Sequence, residues 1–393
     1  MPFEERSIMS HREEFCRLAL AGGANVRELC RRFRVSSGTA YLWLGRYKSE
    51  GRAGLGDRSR RPLSSPRRTP DDLEARVRSI REAHPAWGGR KIRRILEVEG
   101  VASPPSASTI TQILRRHDLL GEPGVRPQRA VRRFEYASPN ELWQMDFKGH
   151  FGLRQGRCHP LTVLDDHSRY ALELGACADE QGLTVRERLS GVFERYGLPD
   201  RILTDNGSPW GSSGTGGRHT RLTIWLLDLG VGVVHGRPYH PQTQGKDERF
   251  HRTLKAEVLD GRQFADLDQA QRAFDAWREV YNAKRPHQAL DMATPSTLYE
   301  MSQRRLPAQI APPDYEPGVP VRKVHGGGWF QFKGRRFYCS SAFSGLDVAL
   351  RPTQTDGVLN LCYRSHVIGQ FNLREPNKTV QDLSEHPFSL SPV

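Results

Sequence analysis

Residues 142–151, LWQMDFKGHF, set the reading of the middle of this chain. Trp143, Met145 and Phe147 alternate with Gln144, Asp146 and Lys148, the period of two that marks a strand with one apolar face. Asp146 therefore falls on the face opposite the apolar triplet. CHPLTVLDDHSRY (158–170) and ALELGACA (171–178) read as the next two strands of a meander, with Asp165 and Asp166 near the bend. QGLTVRERLSGVFERYG (181–197) is an amphipathic helix that stops at Gly197, with Pro199 beyond. RILTD (201–205) is a short buried strand with Asp205 at its carboxyl end. A Gly/Ser-rich loop leads to a helix, HTRLTIWLLDLG (219–230), and a strand, VGVVHG (231–236). HPQTQGKDERFHRTLK (240–255) opens another amphipathic helix, and residues 266–285 form a long one with Phe274, Trp277 and Tyr281 on one side. This order predicts an α/β domain over 141–300, a mixed five-stranded sheet with flanking helices.

Upstream the chain reads as helical. HREEFCRLALAGG (11–23), VRELCRRFRV (26–35) and TAYLWLGRYK (39–48) form three short helices, the last capped by Ser36 or Ser37. They predict a helix-turn-helix DNA-binding domain over 1–50, whose third helix enters the major groove. Thr39, Tyr41, Arg46 and Lys48 would face DNA there, and Leu42 the core. An ordinary helical bundle with a basic surface is the alternative. Residues 51–70, rich in Gly, Pro, Ser and Arg, form a basic linker. Its Arg58, Arg60 and Arg61 would track a minor groove or merely carry solvated charge. Residues 71–120 repeat the helical pattern, with Ser106 or Ser108 as a cap and Arg115 and Arg116 near the end of the third helix. They predict a second helix-turn-helix DNA-binding domain.

Residues 121–140 and the Pro-rich 301–317 read as further linkers. Short strands with turn signals over 318–375 predict a small C-terminal β-barrel, followed by a frayed tail, 376–393. Arg322, Lys323, Lys333, Arg335 and Arg336 make that module a second candidate for DNA contact; a protein-contact role is open.

Charge agrees with this division. The chain has 393 residues and a net charge of +14, which points to a polyanionic partner. Residues 1–140 hold 28 Lys/Arg against 16 Asp/Glu, and the remainder 31 against 29. The basic end is the grip and the balanced end the place for chemistry. Six scattered cysteines, with no CxxC and no paired His spacing, argue against a zinc site or disulfides and for a cytoplasmic protein. No apolar run reaches membrane-spanning length.

Three carboxylates stand where phosphodiester chemistry would need them. Two divalent ions roughly 3.5–4 Å apart can supply both an activated nucleophile and a stabilised leaving oxygen. Mg²⁺ takes oxygen ligands and keeps several waters, so two aspartates and a glutamate suffice. Asp146 and Asp205 would be neighbours if their strands pair. Glu248, Arg252 and Lys255 share one face of the 240–255 helix, while Phe250, Leu254 and Val258 point to another side. Spacing alone favours a plainer reading, an exposed Glu–Arg pair at i, i+4.

LWQMDF, LTVLDDHSRY, ILTDNGSPW and HPQTQGKDERFHRTLK, in this order, resemble the catalytic core of the DDE-type insertion-sequence transposases, whose core is like that of retroviral integrases. The two upstream helical units and the β-rich tail are similar to that family as well. The resemblance implies a ribonuclease H-like fold and Mg²⁺-dependent cutting and joining at transposon ends, with Mn²⁺ as a substitute and two ions per site. It carries the three acidic roles, catalytic and metal-binding, to Asp146, Asp205 and Glu248. It also implies double-stranded DNA partners, both element ends and target, and a homodimer or larger assembly on that DNA in a bacterial, nucleoid-associated setting. A DNA-binding regulator on a silent core, or a nuclease without joining activity, is the alternative. The separation of Asp205 and Glu248, 43 positions, exceeds the family's usual spacing, and GSSGTGGRH (211–219) reads as the loop insertion responsible.

The other candidates divide as follows. Asp165 and Asp166 should bind backbone at a strand end, and Asp247, turned about 100° from Glu248, should face solvent. Asn206 and Gly207 fit a tight turn. His235, His240 and His251 read as structural before phosphate-binding. Lys246, Arg252 and Lys255 are the expected phosphate contacts near the metals.

Overall fold

The computed structural model describes residues 7–58, 68–120, 135–211, 219–236, 245–375 and 379–380. It divides into two compact units, residues 1–69 and 70–393. Arg60, Arg61 and His240 lie outside the described residues. Among those described, no helix is long and apolar enough to cross a membrane.

The first unit contains α1 (Ile8–Ala19), α2 (Val26–Arg32) and α3 (Ser37–Glu50). Ser7, Asn25 and Ser36 cap them through side-chain oxygens that accept first-turn amide protons. Phe15, Cys16, Cys30, Ala40 and Leu44 make the core. Ala40, Trp43, Leu44 and Tyr47 form the inward stripe of α3, which leaves Leu42, two residues and about 200° from Ala40, on the far side. Leu42 is 51% exposed, so it does not face the core as its hydrophobicity predicted. The linker also begins later than expected. Gly51–Leu55 is a 3₁₀ turn whose Leu55 is buried in the same core, and Arg12 Nη1 donates to Leu55 O at 2.8 Å. Gly54 is required there, because a Cβ would stand 2.6 Å from Arg46 O.

The second unit begins with α4 (Asp71–Ala83), α5 (Gly89–Val98) and α6 (Ala107–Arg116), packed around Val77, Ile80, Trp87, Ile92, Leu96 and Ile110. Ser106 is the cap of α6. A sheet domain follows, made of β1 (Leu142–Phe147), β2 (Phe151–Gly152), β3 (Arg157–Asp165), β4 (Ala171–Cys177), α7 (Gly182–Tyr196), β5 (Arg201–Thr204), α8 (Arg221–Asp228), β6 (Gly232–His235), α9 (Gly245–Leu254) and α10 (Leu267–Ala283). The five longer strands run β4–β3–β1–β5–β6, and the two-residue β2 pairs the start of β3. β1 is antiparallel to β3 but parallel to β5, which is parallel to β6. Trp143, Leu161, Ile202, Phe193 and Trp225 share one core with α7 and α8, and Leu164, Leu174, Phe250, Leu254 and Phe274 share another with α9 and α10. This is the mixed, helix-flanked sheet the sequence predicts. Being covered on both faces, β1 also buries Gln144, which a one-faced alternation had placed outside.

The C-terminal module comprises β7 (Val321–Lys323), β8 (Trp329–Phe332), β9 (Arg335–Tyr338), β10 (Asp347–Pro352), β11 (Val358–Tyr363) and β12 (His366–Asn372). It is not a closed barrel. β12–β11–β10–β7 is an open four-stranded sheet, and β8–β9 pair only with each other among the described strands. The backbone at Gly328 passes so close to Ser340, across the base of the β8–β9 hairpin, that a Cβ would lie 2.3 Å from its carbonyl carbon. Phe330, Phe337 and Phe371 fill the shared core, and Ile224 and Leu227 of α8 join it. Tyr363 Oη and Arg364 Nε both donate to Asp228 Oδ1 at 2.7 Å, fastening the module to the sheet domain.

One position tests the packing of α5 on α6. A Cβ on Gly89 would sit 2.3 Å from Ala107 O and 2.8 Å from Thr111 Oγ1. Gly89→Val should cost about 1–3 kcal/mol, read as a lower midpoint in thermal unfolding.

Candidate active site and nucleic-acid surfaces

Parallel pairing sets the geometry of the acidic residues. The register Leu142↔Arg201, Trp143↔Ile202, Gln144↔Leu203 puts Asp146 and Asp205 at matching positions two residues further on, where both strands run out. The Asp205 carboxylate is steadied by Gly207 N, which donates to Oδ1 at 3.0 Å. Asn206 Nδ2 donates to Gly236 O at 2.8 Å, so this turn is tied to the end of β6. Gly207 must stay small, since a Cβ would approach Asp205 Oδ2 to 3.2 Å.

Glu248 comes to this edge on the first turn of α9, where it is exposed, as are Arg252 and Lys255. Phe250, Leu254 and Val258 seat the helix against α10, with the Phe250 ring 5.3 Å from Trp277 and 4.9 Å from Tyr281. That inward stripe includes Asp247, three residues before Phe250. Asp247 is 1% exposed, so the expectation that it faces solvent is corrected: the 100° turn from Glu248 carries it into the core. Neither of its carboxylate oxygens has a hydrogen-bond partner among the described residues. Burial raises its pKa well above the usual range, and Asp146, Asp166 and Glu248 add to the effect against Lys246.

The acidic groups share one field. Burial does most to push the Asp146 carboxyl up to about 7, and the charges of Asp205, Glu180 and Glu248 push the same way against a hydrogen bond from the Phe147 amide. Glu180 is an addition that no motif pointed to. It lies between β4 and α7 and pairs with His159 Nδ1 at 2.9 Å. Among the described residues, no three His, Cys, Asp or Glu side chains close to the geometry of a metal site. The carboxylates share a common potential. Hard oxygen donors on strand ends and a helix turn suit Mg²⁺ or Mn²⁺, and their mutual repulsion is what such an ion relieves.

Asp165 and Asp166 are structural. Asp165 accepts from Asn140 N, Ser168 N and Ser168 Oγ at 2.6–2.8 Å. Asp166 accepts from Tyr136 N and Gln144 Nε2 and pairs with Lys246 Nζ at 2.5 Å. Lys246 is therefore committed to a buried aspartate and does not point at solvent phosphate; burial lowers its pKa to about 8 against the pull of Asp166. His251 is half-buried; desolvation, with Lys148 adding to it, lowers its pKa to about 4, and its Nε2 meets Thr162 Oγ1 at 2.9 Å. His235 Nδ1 lies 3.0 Å from Asp205 O.

Comparison with known proteins agrees with this architecture. Two integrase core domain models match residues 137–241 and 229–295, and the C-terminal domain model of the IS481 family transposases matches 319–379. On these matches the chain is similar to the insertion-sequence transposases built on an integrase core. A helix-turn-helix domain model matches 11–62 and a homeodomain-like one 39–114. The 31.7 kDa protein of insertion element IS407 from Burkholderia multivorans is 27% identical over 57% of this chain and 79% of its own length. The 39.2 kDa protein of IS476 from Xanthomonas euvesicatoria is 26% identical over 68% and 75%. The IS904 transposase of Lactococcus lactis is 27% identical over 43% and 65%.

The residues the sequence assigns to DNA differ in exposure. Tyr41, 63% exposed, shares with Leu42 and Lys48 the outer side of α3. Thr39 is half-buried, its hydroxyl 2.8 Å from the capping Ser36 Oγ, and Arg46 is half-buried. Arg58 pairs with Glu50. Arg115 is exposed on α6, whereas Arg116 Nη2 is held 2.5 Å from the buried Glu74. The C-terminal module carries a cleft of about 370 Å³ formed by Arg322, Lys323, His325, Gln331, Phe332 and Lys333. Arg322 and Lys333 both lie over the Phe332 ring, at 5.3 and 5.7 Å, and no acidic side chain among the described residues lines the cleft.

The unpartnered Asp247 gives a test. An acid whose pKa is higher folded than unfolded favours unfolding as pH rises above the ordinary aspartate value of about 3.9. In chelator, Asp247→Asn should raise Tm at pH 8 by roughly 2–4 °C, about 1 kcal/mol, with the gain shrinking as pH is lowered toward 4. Thermal scans across that range check it.

Proposed function

We propose that this transposase binds the terminal inverted repeats of its insertion sequence and carries out strand cleavage and strand transfer into target DNA. The observation that supports this most is the pairing of β1 with β5, which sets Asp146 and Asp205 side by side with Glu248 in their field. In this reading Asp146, Asp205 and Glu248 hold two Mg²⁺ ions, with Mn²⁺ able to replace them. Bound there, the ions supply an activated attacking oxygen and stabilise the leaving one. Arg252 and Lys255, one and two turns along the exposed face from Glu248, hold the scissile strand by its phosphates. The turn at Asn206–Gly207 keeps the Asp205 carboxylate facing the strand ends. Hydrolysis frees a 3′-OH at the element end; that hydroxyl then attacks a target phosphodiester, so one P–O bond forms as another breaks and the protein carries no covalent intermediate.

Grip is separate from chemistry. The outer side of α3, with Tyr41, Leu42 and Lys48, enters a major groove, and Arg115 on α6 adds a second contact. Tyr41 and Leu42 offer apolar surface to thymine methyl groups. Joining two ends requires at least two protomers on the DNA, and the protein works in the bacterial cytoplasm at the nucleoid.

Two experiments test this. Asp146→Asn, Asp205→Asn and Glu248→Gln should each lose strand transfer by at least about 10³-fold while binding element-end DNA normally in a mobility-shift assay. Joining retained in Glu248→Gln would assign the third carboxylate elsewhere. For the C-terminal cleft, Lys323→Ala with Lys333→Ala should weaken DNA binding for all sequences alike and lower the slope of log K against log salt by about 2. An unchanged slope would give that cleft another partner.

A further inference from the structure

Sequence reading made Lys246 a phosphate contact, and its surroundings assign it different work. Lys246 Nζ lies 2.5 Å from Asp166 Oδ1 and 3.3 Å from Asp166 O, with the lysine side chain 17% exposed and the aspartate fully buried. Asp166 Oδ1 also accepts from Gln144 Nε2 at 2.6 Å, two residues before Asp146 on β1, and Oδ2 from Tyr136 N at 3.0 Å. One carboxylate thus ties together three parts of the chain: β1, the first turn of α9, and the segment that follows residues 121–134.

That segment is fastened at several points. Arg169 Nη2 donates to Glu135 Oε2 at 2.8 Å, His167 Nδ1 lies 2.9 Å from Tyr136 O, and the Tyr136 side chain packs on Leu142, Leu203 and Val234. Residues 135–140 therefore belong to the sheet domain and not to the tether the sequence predicted over 121–140.

A second polar anchor lies on the other side of Glu248. Thr162 Oγ1 has a single proton, which goes to Asp146 O at 2.9 Å, so His251 Nε2 is the donor in its 2.9 Å contact with the same oxygen. Glu248 is thus bracketed, two residues after Lys246 and three before His251. One bracket ends on Asp166, which also holds Gln144 of β1, and the other on Thr162 of β3, whose hydroxyl donates to the Asp146 carbonyl of β1. Hydrophobic contacts from Phe250 and Leu254 seat α9, but they resist sliding and rotation of its first turn only weakly, because that turn precedes them.

We propose that Lys246 is a positioning residue: its buried ion pair with Asp166 fixes the first turn of α9, and with it Glu248, against β1, through the same carboxylate that holds the chain entering at Tyr136. The proposal rests on the assignment of Glu248 to the metal site. It makes Asp166 a shared anchor, so that strain on the segment arriving from the helical DNA-reading region reaches the helix bearing the third carboxylate.

The test uses the full chain with Mn²⁺ as probe. Lys246→Met should fold, bind element-end DNA in chelator with unchanged affinity, and bind Mn²⁺ more weakly by about 10–100-fold, the usual cost of losing an outer support of a metal ligand. Half-maximal strand transfer should need more Mn²⁺ by the same factor, with the maximal rate regained at saturating ion. Amides 246–250 should exchange faster with solvent while those of α10 do not. Lys246→Arg, which keeps the charge, should restore most of the affinity, and Lys246→Gln serves if the methionine variant does not fold. Wild-type Mn²⁺ affinity with wild-type exchange in the Met or Gln variant would overturn the proposal. So would a loss confined to DNA affinity in chelator, which would return Lys246 to phosphate binding. Glu248→Gln run alongside separates the two ideas: if it binds Mn²⁺ and joins strands as wild type does, the metal-site reading fails whatever Lys246 does.

Discussion

The parallel pairing of β1 with β5 is the constraint on which the rest depends. Two strands that run the same way finish at the same edge, and residues at their ends meet without any contact between the loops beyond. Here those residues are Asp146 and Asp205, separated by more than fifty positions in sequence but set by one register. The intervening β3, β4 and α7 are the crossover that parallel pairing demands, and their packing around Trp143, Phe193 and Ile202 holds both strands from one face. On the opposite face α9 and α10 pack on β3 and β4, which brings Glu248 to the same edge, while Tyr136 packs on Leu142 of β1 and Leu203 of β5. Slip of the β1–β5 register by one residue would turn one aspartate to the other side of the sheet. Apolar packing on both faces forbids that slip, so the core fixes the site.

Electrostatics works against this arrangement. Asp146, Asp205, Glu180 and Glu248 crowd one field, and burial first, then these charges, hold the Asp146 proton up to about 7. Asp247 adds a buried, unpaired carboxyl behind them. Such a cluster costs folding free energy in the absence of counter-charge, and nearby cations do little to relieve it. Lys246 is spent on Asp166, and Arg285 on Glu257 at 3.1 Å. Arg252 and Lys255 lie on the exposed face, where water screens them. The excess positive charge of the chain sits almost entirely in residues 1–140. Segregating charge in this way leaves the acidic edge available to divalent ions and the helical region to phosphate.

Much of this was legible in sequence because it rests on periodicity and on end signals. Period two in LWQMDF placed β1, the serine caps placed α3 and α6, and Gly197 ended α7. The family motifs carried the three acidic positions as a set. What failed were inferences from a single residue. Leu42 is apolar yet exposed and Asp247 charged yet buried, because rotation of a helix is fixed by the whole stripe of large side chains and not by one member. The linker at 51–55 and the tether at 135–140 were misjudged for a related reason. Glycine and proline mark irregular backbone, but Leu55 and Tyr136 show that irregular backbone can still be packed. Barrel closure depends on which strands pair with which, and short strands read one at a time carry no information about that.

The two faces of α9 show how the chain combines firm placement with access. In the proposed function Glu248 meets both metal and DNA and so has to remain at the surface, and an exposed side chain on a first helical turn is ordinarily among the less ordered parts of a protein. Residues 245–254 resolve this by putting every restraint on the inner side. Phe250 and Leu254 provide apolar seating, while His251 and Lys246 provide directional bonds to Thr162 and Asp166. None of these occupies the outer face, which is left to Glu248, Arg252 and Lys255. Thr162 lies on β3 and Asp166 just past its end, beside the strand that carries Asp146, so the helix is referenced to the first aspartate. Order at the candidate site is thus produced beneath it, by groups that need never touch the substrate.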